Sequence, residues 1–175
     1  LNFQLLKPHV KYKDSFLTGL AEMPSESDMK SWIYLGDAES LETPALDFNA
    51  YVDRLLFYET HAPEHFVRSV VYWAIAGNEI VGRIAIRPEL NNFLRRAGGH
   101  IGYIVRPSYR QQGVATEMLR QLLEMDKVRA LGKLLVTCDE DNVASEKAIL
   151  KNGGVLENIL EMENRPRKKR FWITL

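Results

Sequence analysis

The 175-residue chain is short of several things, and each shortage removes a class of protein. It has one cysteine, Cys138, so no internal disulfide framework exists and a reducing compartment is the expectation. It has no apolar run long enough to span a bilayer; the longest, around Val70 to Ala76, reads as a strand. The formal net charge is zero, which leaves no general pull toward nucleic acid or membrane. No secretory n-region and h-region pattern opens the sequence, so cytoplasmic placement is expected. Neither internal repeats nor low-complexity segments are present. Two phosphate-binding motifs are missing as well. Nothing matches the P-loop, and Gly113 stands alone where a dinucleotide fingerprint needs three glycines.

What is present centres on Arg110-Gln111-Gln112-Gly113-Val114-Ala115. The preceding stretch, His100 to Val105, is β-branched and aromatic-rich and reads as a strand closed by Arg106-Pro107. After the glycine, Ala115, Met118, Leu119, Leu122 and Met125 recur at helical spacing, which predicts one helix running to Leu131 and ending at Gly132. A helix start carries unpartnered N–H groups and about half a positive charge, and glycine lets an anion approach them. Downstream, Lys133 to Cys138 reads as a strand, Asp139-Glu140-Asp141 as a loop, and Asn142 as the cap of a helix ending at Gly153-Gly154.

The loop fits Arg/Gln-x-x-Gly-x-Gly/Ala and resembles the acyl-CoA pyrophosphate loop of the GNAT N-acetyltransferase superfamily. Asn142, Ser145, Lys151 and Gly153 match that family's next helix, so the resemblance covers about residues 78 to 160. It implies an α/β fold of the α+β type, a mixed, mostly antiparallel central sheet with helices on both faces. It also implies acetyl-CoA as acyl donor, with no metal. Tyr103, Ile104 and Val105 would contribute strand backbone and the oxyanion donor. The loop Arg110, Gln111, Gln112, Gly113, Val114, Ala115 and Thr116 would hold the pyrophosphate, with Asn142, Ser145 and Lys151 from the later helix.

The rest of the chain reads as parts of one domain. Residues 1–66 form an acceptor-side part, 67–160 the acetyl-CoA core and 161–175 a C-terminal strand. Expected elements are a strand at Phe3 to Leu6, a helix at Tyr12 to Met23, and a helix starting at Thr43-Pro44, with Thr43 as cap, and leading through Leu46, Tyr51, Leu55 and Tyr58. A hairpin turns at Gly77-Asn78, between Ser69 to Ala76 and Glu79 to Arg87, and Pro88 to Arg96 is a connection of open form. A short strand pair ends the chain. Between Glu22 and Glu64 stand ten acids against Lys30 and Arg54 alone, which favours a cationic, amine-bearing acceptor. Arg165, Arg167, Lys168, Lys169 and Arg170 read as a charged, exposed edge strand rather than a nucleic-acid site.

The chemistry sets further requirements. An alkyl ammonium with a pKa of about 10.4 must lose a proton before it attacks a thioester. His100 is the candidate base, because it stands where several relatives place a Glu. Many relatives carry a Tyr general acid where this chain has Ile149, so Ser145 or water would take that part. A CoA thiolate resembles a thiol of pKa about 8.5, and expelling it unprotonated at pH 7 costs about 2 kcal/mol. His61 and His65 lack the partners a metal site needs, and Cys138 reads as a small buried residue. A catalytically silent acyl-CoA-binding or sensing domain and a protein-interaction module stay open, as does the choice of monomer or homodimer.

Overall fold

The computed structural model describes residues 1–34, 43–62 and 64–175. A seven-stranded sheet runs in the order β1-β2-β3-β4-β5-β7-β6. The strands are β1 (Gln4–Leu6), β2 (Val70–Ala76), β3 (Glu79–Ile86), β4 (Ile101–Val105), β5 (Lys133–Asp139), β6 (Val155–Met162) and β7 (Arg165–Thr174). Every neighbouring pair is antiparallel except β4 with β5. The expected hairpin forms, with Gly77 at φ 61° in its turn.

Helices α1 (Lys13–Ala21), α2 (Glu26–Ile33), α3 (Thr43–Leu46) and α4 (Phe48–Phe57) belong to the N-terminal part. Aromatic rings from three of them fill the core under that face. Phe16 lies 5.1–5.6 Å from the rings of Trp32, Phe48, Tyr51 and Trp73. Gly19 admits this packing, because a Cβ there would stand 2.6 Å from the Trp32 indole. On the other face α5 (Val114–Leu123), α6 (Asp126–Arg129) and α7 (Val143–Lys151) cover an aliphatic core of Ile84, Met118, Leu119, Leu122, Val136 and Ile149. Alternating strand residues feed the two cores, so the central strands are buried on both sides while the edge strand β6 is exposed.

Three expectations change, and one segment left open takes a definite form. The helix expected to reach Leu131 breaks after Leu123, where Met125 turns extended (ψ 129°) and Asp126 opens α6. Val128 packs on the same core as α5, so the apolar spacing passes through the break without showing it. The helix expected from Thr43 is two helices, and Asp47 caps the longer one by accepting from the Ala50 N–H at 3.0 Å; the Thr43 side chain lies outside what is described. The connection after Pro88 contains a short π-helical turn, Leu94–Gly98. The basic cluster does not form an edge: β7 lies between β5 and β6 and the strand pair is long. Its charges are met by neighbouring acids, Arg167 by Glu140 at 2.7 Å, Lys169 by Glu146 and Arg170 by Glu157, each at 2.8 Å. Opposite charges on adjacent strands and the flanking helix satisfy one another across the pleat.

One element was not anticipated. Ser25 caps α2 by accepting from the Asp28 N–H at 3.1 Å, and the Ser-x-x-Asp spacing was a legible start signal. No helix among the described residues is long and apolar enough to cross a membrane.

Candidate acyl-CoA cleft and acceptor side

β4 and β5 are joined by a single bridged pair, Ile101 with Val136, and diverge beyond it. The gap between them enters a cleft of about 630 Å³ bounded by Tyr103, Val105, Gly113, Thr116, Asn142 and Ser145, with Ser27, Asp28 and Ser31 of α2 on its far wall. Parallel strands that part company leave backbone donors and acceptors unpaired, and a ligand can use them.

The apex of this V is held by Gly99 and His100. The His100 N–H donates to Leu135 O at 2.7 Å, and the Leu135 N–H donates back to His100 Nδ1 at 2.8 Å. With Nδ1 occupied as acceptor, the neutral ring carries its proton on Nε2 and has no free lone pair. Burial pushes the His100 pKa down, so the ring stays neutral. The imidazole tilts against Trp172 with centroids 6.4 Å apart and does not line the cleft.

The loop after β4 leads into α5 through two left-handed residues, Gln111 at φ 61° and Gly113 at φ 77°. Such alternation turns successive N–H groups toward one side and makes an anion nest at the helix start. A Cβ at Gly113 would meet nothing within 4 Å, so the glycine borders open cleft. Gln112 instead folds back, its Nε2 donating to Ser108 O at 3.1 Å.

The loop is braced from the acceptor side. Arg106 is 5 % exposed, and its Nε donates to Glu22 Oε1 at 2.8 Å while Ser108 N–H donates to Glu22 Oε2 at 3.1 Å. The Arg106 guanidinium holds the Glu22 carboxylate below its ordinary range. A depressed carboxylate stabilises the fold above its unfolded pKa of about 4.3, and that stability is lost as pH falls through the lowered value. Glu22→Ala should therefore cost about 2 kcal/mol near neutral pH, because it removes the charged hydrogen bonds of the buried Arg106 and leaves it only Glu79, at 3.5 Å. Urea unfolding at pH 7 and pH 3 checks this: the difference between variant and parent should shrink at the lower pH.

Helix α7 supplies the remaining wall. Asn142 caps it as expected, accepting from the Ser145 N–H at 3.0 Å. The Tyr103 hydroxyl reaches across from β4 and donates to Ser145 O at 3.3 Å, and burial pushes its pKa up to about 12. Ile149 is fully buried in the core and does not border the cleft. Lys151 is exposed at the far end of α7 and also stands outside it. Cys138 borders the cleft, but burial pushes its thiol up to about 11. It is protonated at neutral pH and a poor nucleophile.

On the acceptor side most of the described acids are locally engaged. Glu26 pairs with Lys30, Asp28 lies 3.7 Å from Arg110, Glu59 pairs with Lys7, and Asp47 caps α4. Asp37, Glu39 and Glu42 lie outside the described residues. The charged side chains that do face inward are Arg83 and Arg87, whose guanidinium carbons stand 4.2 and 5.2 Å from the Tyr34 ring centroid. Sequence reading missed both, since each looks like one more charge on a strand. Among the described residues no group of three or more His, Cys, Asp or Glu is placed to hold a metal ion.

These features agree with what comparison finds. The microcin C7 self-immunity acetyltransferase, in complex with acetyl-CoA and AMP, superposes with a TM-score of 0.68 at 14 % identity, over 99 % of this chain and 92 % of that one. An acetyltransferase from Salmonella typhimurium that modifies the N-terminal serine of ribosomal protein L7/L12 gives 0.66 at 16 %, over 99 % and 95 %. A Vibrio cholerae spermidine N-acetyltransferase chimera gives 0.62 at 14 %, over 99 % and 96 %. At these identities the likeness is one of fold. No curated protein sequence matches the chain. The acetyltransferase (GNAT) domain profile matches residues 15–155, most of the sequence. With the mixed sheet, the parted β4 and β5 and the nest before α5 all in place, the chain belongs to the GNAT acetyltransferase family.

Proposed function

We propose that the protein transfers an acetyl group from acetyl-CoA to a primary amine by direct attack, with no covalent enzyme intermediate. The observation that carries this reading is the cleft between β4 and β5, ending at the left-handed turn that opens α5. The N–H groups of the Gln111 to Thr116 stretch would hold the pyrophosphate, and the β5-facing backbone of Tyr103 to Val105 would receive the pantetheine arm and the oxyanion. Acetyl-CoA supplies an acetyl group activated as a thioester. The high pKa of Cys138 supports direct transfer over a thiol relay.

His100 serves as a positioning residue, because its bond to Leu135 leaves no lone pair to act as base. Protonation of the departing thiolate falls to Tyr103, whose hydroxyl stands beside Ser145 where Ile149 offers none. The hydroxyl of Ser145 has no hydrogen-bond partner among the described residues and borders the same space. Because an unprotonated thiolate costs only about 2 kcal/mol, Tyr103→Phe should lower kcat by at most about thirtyfold and leave CoA affinity unchanged. A loss of CoA affinity instead would assign Tyr103 to binding.

Purified protein mixed with acetyl-CoA, an amine panel and a thiol reagent tests the whole reading. Acceptor-dependent thiol release with a matching mass shift is expected. CoA saturation without release would indicate a silent acyl-CoA-binding domain.

A further inference from the structure

A second cavity, of about 320 Å³, opens on the acceptor face beside the cleft. Its walls are apolar, built from Leu55, Phe66, Val67, Val71 and Phe93. One end is different. There the Arg87 guanidinium lies 3.4 Å from where a Cβ at Gly102 would stand, and Gly102 itself borders the acyl-CoA cleft. The Arg87 guanidinium therefore packs on Gly102, which has no side chain to displace it, and stands between the two spaces.

The charges at that end are unbalanced. Arg87 Nη1 donates to Gly99 O at 3.2 Å and to Gly98 O at 3.5 Å, while its Nη2 and Nε have no partner among the described residues. Arg83, 3 % exposed, donates from Nη2 to Ser31 O, and its Nε and Nη1 have no hydrogen-bond partner among the described residues. No carboxylate among the described residues pairs with either guanidinium. Tyr34 stands against both and accepts a hydrogen bond from Ser69 Oγ at 3.1 Å, which leaves its own hydroxyl proton free to donate toward the cavity. Buried cations without counter-charge are costly, and a bound anion offsets that cost.

Resting on the acetyltransferase reading above, we infer that the acceptor is an α-amino acid with a bulky apolar side chain. The side chain fills the apolar cavity and the carboxylate lies against Arg87 and the Tyr34 hydroxyl. The amine is one carbon away from the carboxylate, so it is carried to the Gly102 side and faces the acetyl donor. The neutral amine attacks the acetyl carbon, a C–N bond forms, the C–S bond breaks, Tyr103 protonates the CoA thiolate, and the proton that the nitrogen loses passes through water to restore the Tyr103 hydroxyl. The products are an N-acetyl amino acid and CoA. Two nearby guanidinium groups also disfavour the ammonium form, so the site promotes deprotonation without a dedicated base. A polyamine would bring further positive charge to the same place and is repelled.

The test compares L-phenylalanine with 2-phenylethylamine, spermidine and a phenylalanyl peptide as acceptors for the intact chain, by thiol release and mass shift. Titration of N-acetyl-L-phenylalanine into the CoA-saturated protein gives a readout independent of turnover. We expect kcat/KM for L-phenylalanine at least a hundredfold above that for 2-phenylethylamine. Arg87→Met should raise its KM at least tenfold with CoA affinity unchanged, and Arg87→Lys should recover part of the loss. Because Arg87 also braces Gly98 and Gly99, Phe66→Ala provides a second variant at the cavity wall; it should raise KM for phenylalanine but not for alanine. Equal or better acetylation of 2-phenylethylamine, spermidine or the peptide would overturn the assignment while leaving acetyl transfer intact. CoA saturation with no binding of phenylalanine or its acetyl derivative would overturn it too. Failure to bind CoA would instead remove the function on which it rests.

Discussion

Replacing Gly113 by Val should weaken CoA binding by at least a hundredfold while the protein stays folded. Gly113 sits at φ 77°, where a β-branched residue carries about 1–3 kcal/mol of backbone strain. That strain is tolerable, because the added Cβ would meet no protein atom within 4 Å. The same openness is what harms the ligand: the new side chain stands in the cleft, over the N–H groups at the start of α5. Hydrogen bonds to a charged group contribute about 1.5–3 kcal/mol each, so losing two of them already exceeds a hundredfold. Calorimetric titration with CoA measures the effect, and circular dichroism confirms the fold. An unchanged affinity in a folded variant would refute the phosphate loop.

Gly99→Ala should be among the most destabilising single-methyl additions in the chain, at roughly 3–5 kcal/mol. Gly99 lies at φ 64° and ψ −174°, a region only glycine occupies comfortably, and an added Cβ would stand 2.6 Å from Leu135 O. That oxygen is backbone and already accepts from the His100 N–H, so it cannot move aside without opening the apex of the V. Gly77→Ala is the control: φ is 61° and the space is empty, so only about 1 kcal/mol of strain is expected. For a chain of this length the Gly99 variant should melt about 10 °C lower. A melting temperature within a degree or two of the parent would show that the apex is not held as described.

These two glycines show what a sequence exposes and what it hides. Gly113 announces itself, because a basic loop with one glycine between an apolar strand and an apolar helical stripe is a local pattern. The cap at Asn142 and the turn at Gly77-Asn78 are equally local, and each forms as the spacing requires. Gly99 carries no such mark. Its need for a bare Cα comes from Leu135, thirty-six positions away. The break after Leu123 was hidden for a related reason: α6 buries Val128 on the same core, and periodicity records which face is buried rather than where the chain bends.

The candidate site divides the same way. The loop residues Arg110, Gln111, Gly113, Val114, Ala115 and Thr116, with Asn142 and Ser145, do border one cleft. His100 could be read as a base only while its Nδ1 had no known partner. Tyr103 seemed to offer backbone alone until its hydroxyl was seen beside Ser145.

The sequence by itself determined the β4-turn-α5 and β5-α7 order around the cleft, the anion-binding turn and the family whose motifs it carries. Local hydrogen bonding, capping and side-chain periodicity are properties of neighbouring residues. Tertiary structure alone decided that β4 and β5 part after one bridge, that His100 is a clasp, and that Arg87 borders an apolar cavity beside the buried Arg83, with no carboxylate among the described residues paired to either. Those outcomes depend on groups dozens of residues apart competing for the same space and the same hydrogen bonds, and they exist only once the chain has folded.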